Sequence, residues 1–340
     1  MKKKIVFIIT KSEVGGAQTW VHEMYKLLND EYDIYLIISD KGWLTSKFPE
    51  DKVKVIPEIK KMLSIKASIK ISNYLKKIGA NVTISNSANA GLHSRIAKLF
   101  YKNRCIYVSH GWSCIYNGGK FKFIFCYIER LLSYLTDSIL CVSQKDFDNA
   151  KNIIGIPSKK LKVIKNGTSP KPIKSNINVT KKFLFVGRLA YPKRPDLFIE
   201  ASKKFPQHNF YLVGNGPLSK NHSNITQKNL FFLGEIKNFI SFNDYDVFVL
   251  SSDSEGLPMS AIEAGSAGVP LLLSNVGGCS ELINNNGIIF ENNIDSLLNA
   301  IQKILNNYHY YYQNSSSYKS IFHINTSKQH YMNLIDGVNE

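Results

Sequence analysis

Two short apolar runs, 247–250 and 269–273, frame the stretch DVFVLSSDSEGLPMSAIEAGSAGVPLLLSNVGGCSE between Asp246 and Glu281. Both are unbroken by polar residues and too short for ordinary helices, so they read as strands buried on both faces of a parallel sheet. Parallel neighbours need a crossover. The residues between supply one: a helical stretch containing Glu263, closed by Gly265 and Gly268, with Pro258 suited to its first turn. The first run turns polar through Ser251, Ser252, Asp253, Ser254 and Glu255 before Gly256 and Leu257, and the second leads into Gly277, Gly278 and Glu281. Strand, anion-ready helix start, strand and glycine turn together place a nucleotide or phosphate site at the carboxyl edge of a parallel sheet. Glu255 in the loop and Glu263 two turns into the helix can face one crevice. On spacing alone, two solvated surface acids read equally well.

The same alternation runs through the chain. Apolar strands are expected at 5–9, 34–38, 53–56, 82–85, 105–109 and 139–142, with Val163 and Ile164 ending this half. Helices are expected at 19–28, 60–77 and 90–100. Residues 168–182, rich in Pro, Lys, Asn and Ser, lack periodicity and mark a linker. A fresh pattern follows, with strands at 183–186, 210–213 and 231–233, helices at 195–204 and 295–306, and a last helix at 326–335. Two α/β domains fit comfortably in 340 residues. Their expected bounds are 1–168, a linker 169–182, and 183–324, with 325–340 packing back on the first.

Charge divides the chain unevenly. Up to Thr168 there are 28 Lys and Arg against 13 Asp and Glu, a balance of +15, while beyond it 15 face 13. A one-sided excess of this kind suits an anionic surface, lipid headgroups or nucleic acid, although drift in a Lys-, Asn- and Ile-rich composition also produces it. No nucleic-acid motif accompanies it. The five cysteines form no CxxC pair, which indicates neither a disulfide frame nor a zinc site and fits a reducing cytoplasm. The apolar run after MKKK is only five residues long and reads as a strand rather than a leader.

In the first half, Gly15 and Gly16 stand between strand and helix, where backbone N–H groups can meet a phosphate. Asp40, ending the second strand, suits a nicotinamide cofactor's ribose, but the turn lacks GxGxxG, and an NAD enzyme accounts poorly for the second domain. His110, followed by Gly111, ends the 105–109 strand where open α/β sheets bind ligands. The 60–77 segment sets Met62, Ile65 and Ile69 among lysines, a basic amphipathic helix suited to an anionic membrane or to packing on the sheet. The aromatic run 121–128 could touch a lipid tail but reads better as a core helix.

Taken together, Gly15-Gly16, His110-Gly111, Ser143, Asn166-Gly167, Gly187-Arg188 with Lys193, Gly214-Asn215-Gly216-Pro217, Glu255 with Glu263, and Gly277-Gly278 with Glu281 resemble the retaining nucleotide-sugar transferases of glycosyltransferase family 4. The match extends from about residue 5 to about 290. It implies a GT-B fold, two Rossmann-like domains facing each other across a cleft, with acceptor held by the first and nucleotide sugar by the second. It further implies that Arg188 and Lys193 grip the diphosphate, Glu263 the ribose hydroxyls and Glu255 the sugar hydroxyls. Backbone at Gly256 and Leu257 would add contacts to the sugar, Gly16 would approach the phosphates, and His110 would lie beside the sugar ring. Gly15, Asn166, Gly187, Gly214, Gly216, Pro258, Gly277, Gly278 and Glu281 complete the implied binding set. Two fixed cations stabilise a departing diphosphate without a metal, so neither metal nor cofactor is expected.

The expected activity is transfer of a hexose or N-acetylhexosamine from a UDP-linked donor to a lipid-linked saccharide during surface polysaccharide synthesis (O-antigen, capsule or lipopolysaccharide). The expected location is the cytoplasmic side of the membrane, peripherally held through the basic first half. A nucleotide-sugar epimerase of the same fold is one alternative. A non-catalytic basic membrane module is another, but it leaves Arg188, Lys193 and the glutamate pair without a task.

Overall fold

The computed structural model describes residues 1–116, 118–217 and 227–338. Residues 339–340, the last two of the expected 325–340 segment, lie outside them. The chain forms two units, one of Met1–Asn166 with Ile324–Glu340 and one of Gly167–His323.

The first unit carries seven strands, β1 (Lys4–Ile9), β2 (Asp33–Ile38), β3 (Val53–Val55), β4 (Val82–Asn86), β5 (Arg104–Ser109), β6 (Ser138–Cys141) and β7 (Leu161–Val163). They form one sheet in the order β3-β2-β1-β4-β5-β6-β7, every pair parallel. Helices α1 (Gly16–Leu28), α2 (Ile65–Ile78), α3 (Ala88–Ala97), α4 (Ser113–Tyr116), α5 (Lys122–Ser133) and α6 (Gln144–Asn149) make the crossovers. Val6, Ile8 and Ile37 of the central strands pack with Ile71 and Leu75 of α2, the apolar stripe that 3.6-residue periodicity places toward the sheet. Ser64 caps α2 by accepting the Ala67 N–H, and Gly79, in the left-handed conformation at φ +66°, ends it.

The second unit repeats the plan with β8 (Lys182–Val186), β9 (Asn209–Val213), β10 (Leu230–Phe232), β11 (Val247–Leu250), β12 (Leu271–Ser274) and β13 (Gly287–Phe290), ordered β10-β9-β8-β11-β12-β13. All pairs are again parallel. Its helices are α7 (Pro195–Lys204), α8 (Met259–Ser266), α9 (Ile294–Asn306) and α10 (Tyr308–Tyr318). Phenylalanines fill its core, with Phe183 stacked on Phe210 at 4.7 Å between centroids. The final helix, α11 (Lys328–Asp336), belongs to the first unit, where Tyr331 packs edge-on to Trp20 of α1 and Arg104 donates to the Leu334 carbonyl.

Three expectations need correction. Residues 169–182, expected as a linker, are a strap on the second unit: Lys174 forms a fully buried ion pair with Asp246 at 3.1 Å, and its N–H donates to the Ala267 carbonyl. The 60–77 helix starts later, at Ile65, because Pro57 initiates a separate short 3-10 turn. The 121–128 run is no core helix, since α5 points most of its aromatic side chains at solvent. Strand β13 was not anticipated, its four residues being enclosed between asparagines and Glu291.

Candidate active site

In each sheet the strand order reverses once, and ligands of open α/β sheets bind at that reversal, outside the carboxyl ends of the strands. In the second unit it lies between β8 and β11. The chain leaving β8 crosses to β11 and is stitched there. The Arg194 N–H donates to the Ser251 carbonyl at 2.7 Å, Ser251 Oγ donates to the Arg194 carbonyl at 2.7 Å, and the Asp253 N–H donates to the Pro192 carbonyl at 2.9 Å. This pairing brings Lys193 opposite Ser252, and the Lys193 ammonium donates to Glu255 Oε1. Both side chains are largely withdrawn from solvent, which strengthens their attraction.

Glycines make the close approaches possible. Gly214, at φ +143°, lies so near the Gly187 carbonyl that a Cβ would come within 1.9 Å of it, and the Lys193 alkyl chain runs over Gly187. A Cβ on Gly216 would meet the Leu189 carbonyl at 2.4 Å. Beyond β12, Gly277 adopts φ +53° with its hydrogen against the Glu255 carbonyl, and the Gly278 N–H donates to the Gly256 carbonyl at 2.7 Å. Three glycine turns thus hold the backbone around Glu255 and Lys193. Cys279 lies behind them, fully buried; burial pushes its thiol pKa up and the Glu255 charge adds to the effect, so it is no nucleophile at neutral pH.

Arg188 is exposed, and among the described residues it makes no ion pair and no side-chain hydrogen bond. Pro258 is the extended residue preceding α8 rather than part of its first turn, and no side chain caps the helix start. Glu263 stands just over one turn into α8, not two, and its Oε1 lies 3.1 Å from the Lys171 ammonium. The two glutamates therefore take different lysines. Glu281 falls in the 3-10 turn Cys279–Leu282, and Leu257 is buried.

Gly15, Gly16, His110 and Asn166 belong to the first unit. Gly16 opens α1 directly after the loop from β1, with the Thr19 N–H donating to Gly15, and no acid in the first turn opposes an anion there. His110 follows β5. Its Nε2 bonds Asn86 Oδ1 at 2.9 Å, and its ring packs on Trp20 at 5.3 Å. Burial lowers its pKa to about 4, so the ring is neutral at neutral pH, with its proton on Nε2 facing the amide oxygen. Asn166 is buried and is the last residue of the 1–166 segment of the first unit. Asp40 has a structural task instead: it accepts the Ser12 N–H at 3.1 Å and pairs with Lys60 at 2.9 Å.

Two partners of candidate residues, Lys171 of Glu263 in the second unit and Asn86 of His110 in the first, escaped the sequence reading. Lys171 sits in a segment whose composition suggests a tether. Asn86, wholly buried, is the polar residue that ends β4, beside the first sheet's reversal, and that position was the available signal.

Comparison with known proteins adds the following. Residues 14–171 match a family model described as Glycosyltransferase Family 4, and residues 170–319 match one described as Glycosyl transferases group 1. The chain is 44% identical to the O-antigen biosynthesis glycosyltransferase WbnH of Escherichia coli over 98% of this chain and 100% of that one. It is 28% identical to an Escherichia coli UDP-Gal:alpha-D-GlcNAc-diphosphoundecaprenol alpha-1,3-galactosyltransferase, covering 89% of this chain and 88% of that one. The crystal structure of Anabaena HepE in complex with UDP-glucose superposes with a TM-score of 0.83 at 17% identity, covering 98% of this chain and all of that one. At that identity the likeness speaks for the fold, the two-unit GT-B architecture.

Proposed function

The chain belongs to glycosyltransferase family 4, and from that premise we propose that it is a retaining, metal-independent hexosyl- or N-acetylhexosaminyltransferase using a UDP-linked donor and a lipid-linked saccharide acceptor. Its coarser role, a glycosyltransferase of polysaccharide biosynthesis, follows from the relatives. The observation that carries the finer reading is the Lys193–Glu255 pair, set at the reversal of the second sheet on loops that only glycine allows.

In this reading Lys193 and the unpaired Arg188 meet the diphosphate. Breaking the sugar–phosphate bond leaves its electron pair on the phosphate oxygen, and the two cations stabilise that charge, Arg as a planar fork and Lys as a point charge. The acceptor hydroxyl adds to the anomeric carbon on the face being vacated and passes its proton to the departing phosphate oxygen, so configuration is kept and no separate base is required. Glu255 accepts from sugar hydroxyls, Glu263 from the ribose diol, and the glycine backbone near Gly256 and Gly278 leaves room for the ring. The neutral His110 gives the sugar a polar edge without adding positive charge.

A UDP donor is supported by the UDP-Gal named for one relative and the UDP-glucose held by a structural neighbour, and a lipid-diphosphate acceptor by the same relative's name. The test is incubation with a panel of UDP-hexoses and a lipid-diphosphate monosaccharide, with and without EDTA, and NMR of the product linkage. An α product from an α donor, insensitive to EDTA, is expected. An inverted linkage or strict metal dependence overturns the mechanism, and a changed sugar formed from donor alone would mean an epimerase.

A further inference from the structure

Helix α5 is built inside out. At 100° per residue, Phe121, Phe123, Ile124, Tyr127, Ile128, Leu131 and Tyr134 fall within an arc of about 160°, and every one of them is exposed, Phe123 to 86% and Tyr127 to 60%. The opposite face holds Cys126, Glu129, Leu132 and Ser133, all buried. Glu129 Oε2 lies 2.8 Å from Arg95 Nη1 of α3, and the Arg95 guanidinium in turn lies over the Tyr107 ring. A helix that meets only water turns its aromatic face inward and its charges outward. Here an ion pair pins the inner face and the aromatics are left outside, a contiguous apolar surface of the kind that marks an interaction site.

The charges around this surface choose the partner. Lys120 stands in the turn leading into the helix and Arg130 borders the stripe, both exposed, Lys151 is exposed on the neighbouring π-turn Ala150–Ile154, and from 118 to 134 the sole acid is the buried Glu129. Two copies of the face brought together about a twofold axis would gather these cations with no carboxylate to answer them. An anionic bilayer answers all of them: phenylalanine and tyrosine rings enter the headgroup boundary while lysines and arginine stay at the phosphates. The start of α2 also exposes apolar residues, Leu63 and Ile65 among them, but its cations are partly spoken for. Lys60 pairs with Asp40, and Lys66 and Lys70 with Glu58.

We propose that α5 is the membrane-docking element of this protein and that its outer face lies in the plane of an anionic bilayer. The proposal rests on the lipid-linked acceptor reading and gives it a place on the chain. It needs no membrane-spanning segment, and among the described residues no helix is long and apolar enough to cross a membrane.

The test is flotation of the full chain with vesicles of phosphatidylglycerol and phosphatidylethanolamine, or of phosphatidylcholine alone. The wild type is compared with the triple variant Phe123→Ser, Ile124→Ser, Tyr127→Ser and with the α2 control Leu63→Ser, Ile65→Ser. Because the replaced side chains are exposed, thermal unfolding should match wild type in both. The expected result is wild-type flotation with the anionic vesicles only, lost about 10-fold or more in the triple variant and kept in the control, while transfer to a water-soluble acceptor analogue stays within about two-fold in all three. Equal flotation of the triple variant overturns the proposal. So does a wild type that binds no vesicle, or a wild-type dimer in light scattering that the triple variant dissolves. Absence of transfer to any acceptor would strike the transferase reading alone, since flotation is read without substrate.

Discussion

Lys171 reaches from the strap on the second unit to within 3.1 Å of Glu263, the residue assigned to the donor ribose. The strap is fixed at the C-terminal end of α8: the Lys171 N–H donates to Ser266 Oγ, and the Lys174 N–H to the Ala267 carbonyl. Lys171 thus gives the Glu263 carboxylate a fixed cationic partner, in a position from which it can accept from a vicinal diol. Replacing Lys171 by Met removes a cation partnered to a half-buried carboxylate, which costs affinity through Glu263 rather than through lost contact with the donor. UDP binding should weaken by about 10-fold, equivalent to about 1.4 kcal/mol, and preference for UDP over 2′,3′-dideoxyuridine diphosphate should shrink. Calorimetry with both nucleotides checks this, and an unchanged preference would remove Lys171 from the ribose site.

Arg188 and Lys193 are expected to fail differently. Arg188→Ala leaves no partner stranded, so stability should stay within about 0.5 kcal/mol of wild type while turnover falls on the order of 10²-fold. Lys193→Ala strands Glu255 in a mostly enclosed position. It should lose turnover to a similar degree and unfold earlier as well, because an unpaired carboxylate held from water is destabilising. Steady-state rates beside thermal unfolding separate the cases, and full activity in both variants would refute the diphosphate assignment.

Glycine at 277 is a requirement of two kinds, a left-handed φ of +53° and a Cβ that would sit 1.9 Å from the Glu255 carbonyl. Gly119, at φ +51° with open space around it, meets only the first. Gly119→Ala should therefore cost about 1 kcal/mol, and Gly277→Ala more than about 3 kcal/mol, with the turn displaced from Glu255. Chemical denaturation of both variants, with UDP binding as a second readout for Gly277→Ala, tests the difference.

These residues show what the sequence could disclose. Glycines at strand ends, a lysine six residues after Gly187, and acidic residues in the loop and helix after an apolar run are local patterns with local physical causes. They singled out Glu255 and the turn at Gly277 as candidates, while the assignment of Lys193 to the diphosphate came only with the family resemblance. What pairs with Glu263 was hidden because Lys171 lies 92 positions earlier in a stretch whose composition describes a tether, and its packing depends on Lys174 finding Asp246. The outward face of α5 was hidden for a related reason. Periodicity says that a helix has an apolar face but not which way the face turns, and here the deciding contact is Glu129 with Arg95, 34 residues apart.

His110 should leave a signature in the pH dependence of stability. Its folded pKa is lowered to about 4 from the ordinary 6.5, by burial. Below pH 6.5 the unfolded chain takes up a proton that the folded ring refuses. Its stabilising contribution is thus complete above 6.5, declines as pH falls toward 4, and levels off below. His110→Gln, which keeps a polar group near Asn86, should flatten that part of the profile. Denaturation at a series of pH values, with the His110 ring protons followed by NMR, provides the check, and a ring titrating near 6.5 in the folded protein would refute the enclosed, neutral state.

Arg95 and Glu129 yield the last prediction, because their pair joins the inner face of α5 to α3. Arg95 is wholly buried, and its Nε also donates to the Gly91 carbonyl at 2.8 Å, so it cannot follow a lost partner into water. Glu129→Ala leaves that guanidinium uncompensated and should cost about 3–5 kcal/mol. The double variant Arg95→Met, Glu129→Leu removes both charges and fills the space with apolar groups. It should recover most of that loss, since desolvating two charges offsets much of their attraction. A conserved α5 geometry in the double variant would leave Phe123 and Tyr127 exposed, so vesicle binding should persist. If instead α5 rolls to bury its aromatic face, protection of Tyr127 from surface iodination will rise as flotation falls, and the ion pair will have been what keeps the docking face outward.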